Sequence, residues 1–446
     1  MFSEVPSPPT VDSPRIDITP ELALMDAPVQ IRLLHFAPHQ RVVLAAQMTD
    51  DGGWRWTSRA VFQADATGTV DLASQAPLEG SYAGIDPMGM FWSMTPDSRK
   101  RGMDYFNQLH PYRTTFTAEV GDGGIATAQL ERTFGDSNLI TQSVREQGLV
   151  GTLFHPAGAS GSPGILVLGG SEGGIPEALA ALLASHGYAA FALAYHGVES
   201  LPKTFVEIPL EYFAAAFAWM RRQEQIESSR LAVVGVSKGG ELALLLGATF
   251  PVVKAVVGYA ASGVVYQGRD MKHKRSSWSW QGRPVPFMPY YYTPGMALRS
   301  AWSVITHTPT PLLPMHAGYL SDQRLVESAS IPVEQIQGPV LLFAGKEDQI
   351  WPSATFAEMV TKRLSEHQHP YPDRHICYEH AGHLTFPIPN LRCHSCWPGW
   401  SAERHREMRV PLPMPGHACC SFFRSTSRKC VNFSIHCFLR AIKKKR

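Results

Sequence analysis

Thiols are almost missing from most of this chain. No cysteine occurs before Cys377, while Cys393, Cys396, Cys419, Cys420, Cys430 and Cys437 crowd the last 56 residues. A disulfide scaffold is therefore excluded for the body, and a chain of 446 residues is long enough to bury a hydrophobic core instead. The start, MFSEVPSPPTVDSPRID, has neither a basic n-region nor an apolar h-region. These two absences set the expectation of a reducing, cytoplasmic setting. Long apolar runs are missing too: the best stretch, Leu242 to Val265, is broken by Pro251 and Lys254 and reads as helix, turn and strand. No membrane partner is expected.

The body also lacks positive charge. Its first 390 residues hold 28 Lys and Arg against 36 Asp and Glu, whereas the remaining 56 hold 12 against only Glu403 and Glu407. A body at −8 offers no bulk attraction to polyanions, so no nucleic-acid partner is expected. The terminal Lys443-Lys-Lys-Arg446 reads as a solvated charge run. With 44% hydrophobic and 17% charged residues, collagen, coiled coil and wholesale disorder are excluded.

What is present falls into segments. Residues 1–13 are rich in Pro and Ser and are expected to be disordered. Residues 14–138 contain short β-like runs, among them Val29 to Leu34, Arg41 to Met48, Trp54 to Phe62, Thr69 to Leu72 and Thr115 to Val120, separated by turn signals. That spacing predicts a β-sandwich. Over 139–390, strands alternate with helices, which calls for a mostly parallel sheet flanked by helices. Strands are predicted at Ile165 to Leu168, Ala189 to Ala194, Leu231 to Val234, Lys254 to Tyr259, Val340 to Ala344 and His375 to Glu379. Helices are predicted at Pro176 to Ser185, Leu210 to Arg222, Gly239 to Phe250 and Ser353 to Leu364. From Tyr266 to Gln337 the pattern lapses into an aromatic, proline-interrupted insertion or lid. Residues 391–446 are expected to be a divergent, disordered tail.

The chemistry centres on Gly235-Val-Ser237-Lys-Gly239, set between a strand and a helix. With 37 glycines in the chain the bare motif is weak. Its strand–turn–helix setting is that of a nucleophile elbow, where a sharp turn lifts a serine above the sheet and a helix N-terminus faces the developing oxyanion. A serine needs a histidine to take its proton and an acid to orient that histidine. Asp348 follows one late strand and His383 the next, so both lie where the C-terminal ends of parallel strands converge. Glu347 competes with Asp348, and His380 with His383. His186 and His196 read as cap or loop residues. The run Leu168 to Gly174 can supply a second oxyanion donor, so Lys238, Gly170 and Ser171 are the oxyanion-hole candidates. It lacks the spacing of a nucleotide-binding loop. Cys393 and Cys396, with His394, His417, Cys419 and Cys420, lack a second clean ligand pair, so no metal is expected.

At these residues the chain resembles the acyl-CoA thioesterase / bile acid-CoA:amino acid N-acyltransferase family. The likeness spans about Ile16 to Pro389. It rests on Gly80-Ser-Tyr-Ala-Gly-Ile-Asp-Pro-Met-Gly-Met-Phe-Trp-Ser-Met, Ala192-Leu-Ala-Tyr-His-Gly, Leu201-Pro, Leu210-Glu-Tyr-Phe, Gly235-Val-Ser-Lys-Gly-Gly-Glu and Ala381-Gly-His-Leu. The resemblance implies an α/β hydrolase preceded by an N-terminal β-sandwich domain, and a triad that maps onto Ser237, Asp348 and His383. Members that transfer acyl groups to amino acids typically carry Cys at the nucleophile and thioesterases commonly Ser, so Ser237 points to hydrolysis of an acyl-CoA substrate without a cofactor. The alternatives are acyl transfer to an amino acid, hydrolysis of another ester, or an inactive hydrolase-fold protein. The departure comes after Pro389, where the family has a closing amphipathic helix and this chain changes composition.

Overall fold

The computed structural model describes residues 13–97, 108–121, 123, 125–270, 272–306, 311–379 and 381–383. The predicted tail and its cysteines lie outside the described residues.

From residue 15 to 133 the strands alternate in burial, as sheets with one inward face must. Arg41–Thr49 shows this most cleanly, burying Val42, Leu44, Ala46 and Met48. A small antiparallel sheet is built from Arg15–Thr19, Gln30–Leu34 and Val70–Asp71. A larger one runs in the order Leu22–Leu24, Ile125–Thr133, Tyr112–Glu119, Arg41–Thr49, Arg55–Gln63 and Glu79–Gly80, with Thr95–Pro96 added beside Arg55–Gln63. Ile18, Ile31 and Leu33 of the small sheet share one core with Leu44, Phe116 and Leu130 of the large one. The N-terminal region is thus a β-sandwich.

A third sheet has eight strands: β1 (Leu139–Val144), β2 (Val150–Pro156), β3 (Ser162–Leu168), β4 (Ala189–Ala194), β5 (Ile226–Val236), β6 (Val253–Tyr259), β7 (Val340–Gly345) and β8 (Asp373–Tyr378). Their spatial order is β1-β2-β4-β3-β5-β6-β7-β8. All neighbours from β4 onward are parallel, and only β1–β2 and β2–β4 are antiparallel. The crossovers include α1 (Glu177–Ser185), α2 (Leu210–Met220) and α3 (Lys238–Thr249). Between β6 and β7 an insertion carries α4 (Pro294–Thr306), α5 (Leu313–Ala317) and α6 (Gln323–Ala329), and α7 (Ser353–Glu366) precedes β8. This is the α/β-hydrolase architecture.

The strand period of two divides the sheet between two cores. Ile165, Val167, Ala190, Ala192, Ala232, Val234, Val257 and Phe343 face a core that contains α1 and the sandwich interior. Leu166, Leu168, Phe191, Leu193, Val233, Val256 and Leu342 face the other, against α2, α3 and α7. Helix α1 is buried at every position from Ala178 to Ala184, because it is wedged between the hydrolase sheet and the sandwich.

Several strands carried no clear signal in the sequence, among them three long ones. β1 has only Val144 buried and mixes three polar with three apolar residues, β2 is buried at six of its seven positions and so does not alternate, and Ile125–Thr133 turns Ile125 outward and Arg132 inward. Arg132 is enclosed over the Phe91 ring with its guanidinium on the Met25 carbonyl. Burial lowers its pKa from the usual guanidinium value to about 9.

The two modules also meet through a polar contact. His186, at the C-terminal end of α1, has Nε2 2.7 Å from Asp26 Oδ2, and the Asp136 N–H donates to Ser185 Oγ at 2.8 Å. The hydrogen bond to Asp26 raises His186 above the ordinary imidazole value, against the opposing effect of burial. A raised folded-state pKa contributes stability below the unfolded value near 6.5, and this is lost as pH rises through the folded value. His186→Gln is therefore expected to lower the melting temperature more at pH 6 than at pH 9. An equal drop at both pH values, read by thermal denaturation, would deny the contact its charge.

Candidate active site

β5 ends at Val236 and α3 begins at Lys238, leaving Ser237 alone on the turn with φ 55° and ψ −119°. A side chain is rarely tolerated at positive φ, so the surroundings must impose it. They do so by close approach. A Cβ on Gly235 would lie 2.0 Å from the Gly239 carbonyl oxygen, and one on Gly239 would lie 2.2 Å from the Gly169 carbonyl oxygen. The turn is then pinned by the Ser237 N–H donating to the Tyr259 carbonyl at 2.8 Å and by the N–H of Gly240 donating to the Ser237 carbonyl at 2.8 Å.

Asp348 follows β7 and His383 follows β8, and the sheet delivers both to the serine. His383 Nε2 is 2.7 Å from Ser237 Oγ, and its Nδ1 is 2.8 Å from Asp348 Oδ2. The carboxylate opposite Nδ1 favours the tautomer with its proton there, which leaves Nε2 to accept from the serine hydroxyl. Asp348 Oδ1 accepts from the N–H groups of Ile350 at 2.8 Å and Trp351 at 3.2 Å, so the acid cannot rotate freely. The Trp351 indole donates to the Ala260 carbonyl at 2.8 Å and packs edge-on to the imidazole. Asp348 and His383 are both buried, while Ser237 is partly exposed. Of the rival pair, the Glu347 N–H donates to the Ala381 carbonyl at 3.0 Å and ties the acid loop to the histidine loop. His380 lies outside the described residues.

The loop after β3 lies against the elbow, since the Gly169 carbonyl crowds Gly239. Within it the Gly170 N–H donates to Glu172 Oε1 at 3.0 Å. The carbonyls of Gly169 and Gly170 accept from the Tyr195 hydroxyl at 2.8 and 3.1 Å. His196 lies over the same loop, its Nε2 3.4 Å from the Gly170 carbonyl, and burial lowers its pKa. The Ser171 carbonyl accepts from Arg269 Nη1 at 3.3 Å.

Several nearby residues escaped the sequence reading. Lys238 was singled out for its N–H, yet its side chain is buried against Glu241 at 2.6 and 2.8 Å and flanked by the Phe205 and Trp278 rings. Glu241 also accepts from Trp278 Nε1 at 2.8 Å and from the Tyr266 N–H at 3.3 Å. Burial lowers Lys238 and raises Glu241, and their mutual attraction opposes both shifts. The motif Ser-Lys-Gly-Gly-Glu puts lysine and glutamate three apart on one helix face, which is the signal that was available.

The insertion is tied to the acid loop. The N–H groups of Leu312 and Leu313 both donate to the Gln349 carbonyl at 2.9 Å. His316, on α5, is buried among Tyr266, Tyr290 and Trp351, and its own carbonyl accepts from the Tyr266 hydroxyl at 2.5 Å. Burial pushes this imidazole down to about 4.

Residues 26–146 match the family model described as acyl-CoA thioester hydrolase/BAAT N-terminal region, and residues 208–395 match that described as BAAT / acyl-CoA thioester hydrolase C terminal. The chain is 31% identical over 392 residues to acyl-coenzyme A thioesterase 6 of Mus musculus, covering 83% of this chain and 85% of that one. It is 31% identical over 367 residues to acyl-coenzyme A thioesterase 1 of Rattus norvegicus, covering 81% and 83%. It is also 30% identical over 388 residues to acyl-coenzyme A amino acid N-acyltransferase 2 of Rattus norvegicus, covering 85% and 88%. Among solved structures, an acetyl xylan esterase from Paenibacillus sp. R4 is similar over 62% of this chain and 80% of that one, with 18% identity and a TM-score of 0.34.

The depressed His316 has a consequence for the anchored insertion. Its stabilising contribution is complete above the unfolded value near 6.5 and is lost as pH falls toward about 4, at most about 3 kcal/mol in all. Acidification through this window is expected to destabilise the wild type more than His316→Gln, which has no proton to gain. Parallel loss in the two proteins, followed by urea denaturation at pH 7 and pH 4.5, would remove His316 as the cause.

Proposed function

Because this chain belongs to the acyl-CoA thioester hydrolase / bile acid-CoA:amino acid N-acyltransferase family, we propose that it hydrolyses acyl-CoA to free fatty acid and CoA through an acyl-enzyme on Ser237. The observation that carries this reading is the unbroken line Asp348–His383–Ser237, at 2.8 and 2.7 Å, on a strained strand-to-helix turn.

His383 Nε2 takes the Ser237 proton as Oγ attacks the thioester carbonyl. The tetrahedral intermediate collapses, its carbon–sulfur bond breaks, and the departing CoA thiolate receives the proton from His383. Water, deprotonated by the same nitrogen, then attacks the acyl ester and releases the fatty acid and Ser237. Asp348 holds the ring and stabilises its charged form in both halves. The backbone N–H of Lys238, at the first position of α3, and those of the Gly170–Ser171 region are assigned to the oxyanion. No cofactor enters any step.

Transfer to an amino acid is the second reading, favoured by the likeness to an N-acyltransferase. Ser237 in place of the cysteine typical of such members supports hydrolysis. A cytoplasmic setting belongs to the same proposal and rests on the near absence of cysteine before residue 390. The domain boundary is proposed as well: the hydrolase unit spans 139–390 and 391–446 lies outside it, a division that rests on the change of charge and cysteine content after residue 390.

Ser237→Ala is expected to lower CoA release from acyl-CoA by at least about a thousandfold without loss of fold. Asp348→Asn should cost a comparable factor by favouring the wrong imidazole tautomer, and Glu347→Gln far less. Retained turnover in purified Ser237→Ala would refute the triad, and a more damaging Glu347→Gln would move the acid. Product analysis with added glycine should give free fatty acid and no acyl-glycine.

Glu172 supplies a further test. Its carboxylate occupies the Gly170 N–H and would repel an oxyanion there. Glu172→Ala is expected to raise kcat by a few-fold, on the order of 1 kcal/mol of barrier, if Gly170 is a donor. An unchanged kcat in stopped-flow assays leaves the role to Ser171 and Lys238.

A further inference from the structure

The body of this chain is acidic, yet residues 269–275 read Arg-Asp-Met-Lys-His-Lys-Arg, four Lys and Arg in seven positions. Their place in the fold is as unusual as their charge. They follow directly on residues 264–268, all buried, in which the Tyr266 N–H binds Glu241 and the Tyr266 carbonyl accepts from Lys238, the neighbour of the nucleophile. The chain therefore passes from beside Ser237 to open solvent within a few residues. From Tyr266 to Lys272 it can span at most about 20 Å.

The loop is ordered at its base. Gln267 and Ser276 form an antiparallel bridge, and the Gly268 N–H donates to the Arg275 carbonyl at 2.8 Å. Asp270 Oδ1 accepts from the N–H groups of Lys272 at 2.9 Å and His273 at 3.1 Å. Arg269 is exposed, its N–H donates to the Phe205 carbonyl at 3.2 Å, and its guanidinium donates to the Ser171 carbonyl. One end of this cationic array thus touches the loop assigned to the oxyanion, and the other projects outward.

Its charges are only partly neutralised. Arg275 pairs with Glu207, and His273 lies 3.3 Å from Asp270. Lys272 and Lys274 are exposed and have no acidic partner among the described residues, and the Arg269 guanidinium donates to a carbonyl rather than to a carboxylate among those residues. Three like charges held within six residues of sequence repel one another, and an anion relieves that repulsion.

We propose that Arg269, Lys272 and Lys274 form the seat for the phosphate groups of the CoA moiety, with the pantetheine arm running back from them to Ser237. This rests on the thioester-hydrolase reading above. The acyl chain and the pantetheine arm carry no charge and need no cation, whereas the diphosphate and the ribose phosphate carry all of the substrate's negative charge. Lys272 and Lys274 act as point charges, and Arg269 supplies a planar fork at the inner end.

The test is a binding titration of CoA, and separately of pantetheine, which lacks phosphate, with the full chain and its Lys272→Ala/Lys274→Ala double variant. Both lysines are exposed, so the fold survives. CoA is expected to bind the variant roughly tenfold more weakly and with a shallower salt dependence, while pantetheine binds both proteins alike. Equal CoA affinity in the two proteins, or a wild type that binds CoA no better than pantetheine, overturns the seat. Loop-dependent CoA binding by a protein that releases no thiol from acyl-CoA would uphold the seat and reject the hydrolase reading. Rapid hydrolysis with a CoA affinity indifferent to both lysines would do the reverse.

Discussion

Backbone packed directly on backbone is what the rest of the site depends on. Gly239 touches the carbonyl of Gly169 and Gly235 touches the carbonyl of Gly239, at distances that admit no Cβ. These contacts force the turn tight enough to hold Ser237 at φ 55° and bring the loop after β3 against the first turn of α3. The proposed nucleophile and the proposed oxyanion donors are therefore set by the same two approaches. Side chains then add precision: Asp348 is fixed by two N–H donors, and His383 is fixed by Asp348.

That arrangement needs a stiff sheet beneath it. Strands β3, β5, β6, β7 and β8 are adjacent and parallel, so the chain ends that carry Gly169, Ser237, Asp348 and His383 emerge on one edge. The insertion closes over this edge through a chain of contacts from Lys238 and Glu241 to Tyr266, from Tyr266 to His316, and from the α5 region to Gln349. The Asp348 loop and the Ser237 turn are thereby linked through the insertion as well as through the hydrogen bonds of His383 to both.

Much of this was legible in the sequence because it follows local grammar. A strand, a Gly-x-Ser-x-Gly turn and a helix announce the elbow, and residues just past two late strands must arrive at the same edge. Asp348 against Glu347 was not decidable locally, since only the fold chooses which of two adjacent carboxylates faces the histidine. His316 stayed hidden because burial by distant aromatic residues leaves no periodic trace in a proline-broken stretch. Ile125–Thr133 was missed for a related reason: an arginine at an inward position contradicts the alternation on which strand reading relies. Glu172 gave no signal of its own, since nothing in the local sequence places its carboxylate on the Gly170 N–H.

Helix α1 gives the fold a property that its topology conceals. It has no solvent face from Ala178 to Ala184, and the core it joins contains residues of both modules. By strand connectivity the sandwich and the hydrolase are separable; by packing they are one body. Cutting the chain between them would uncover a seven-residue apolar helix face and the alternate side chains of β3 to β7 together. The hydrolase half would then be a sticky fragment, and the sandwich is best regarded as the other wall of the enzyme's own interior.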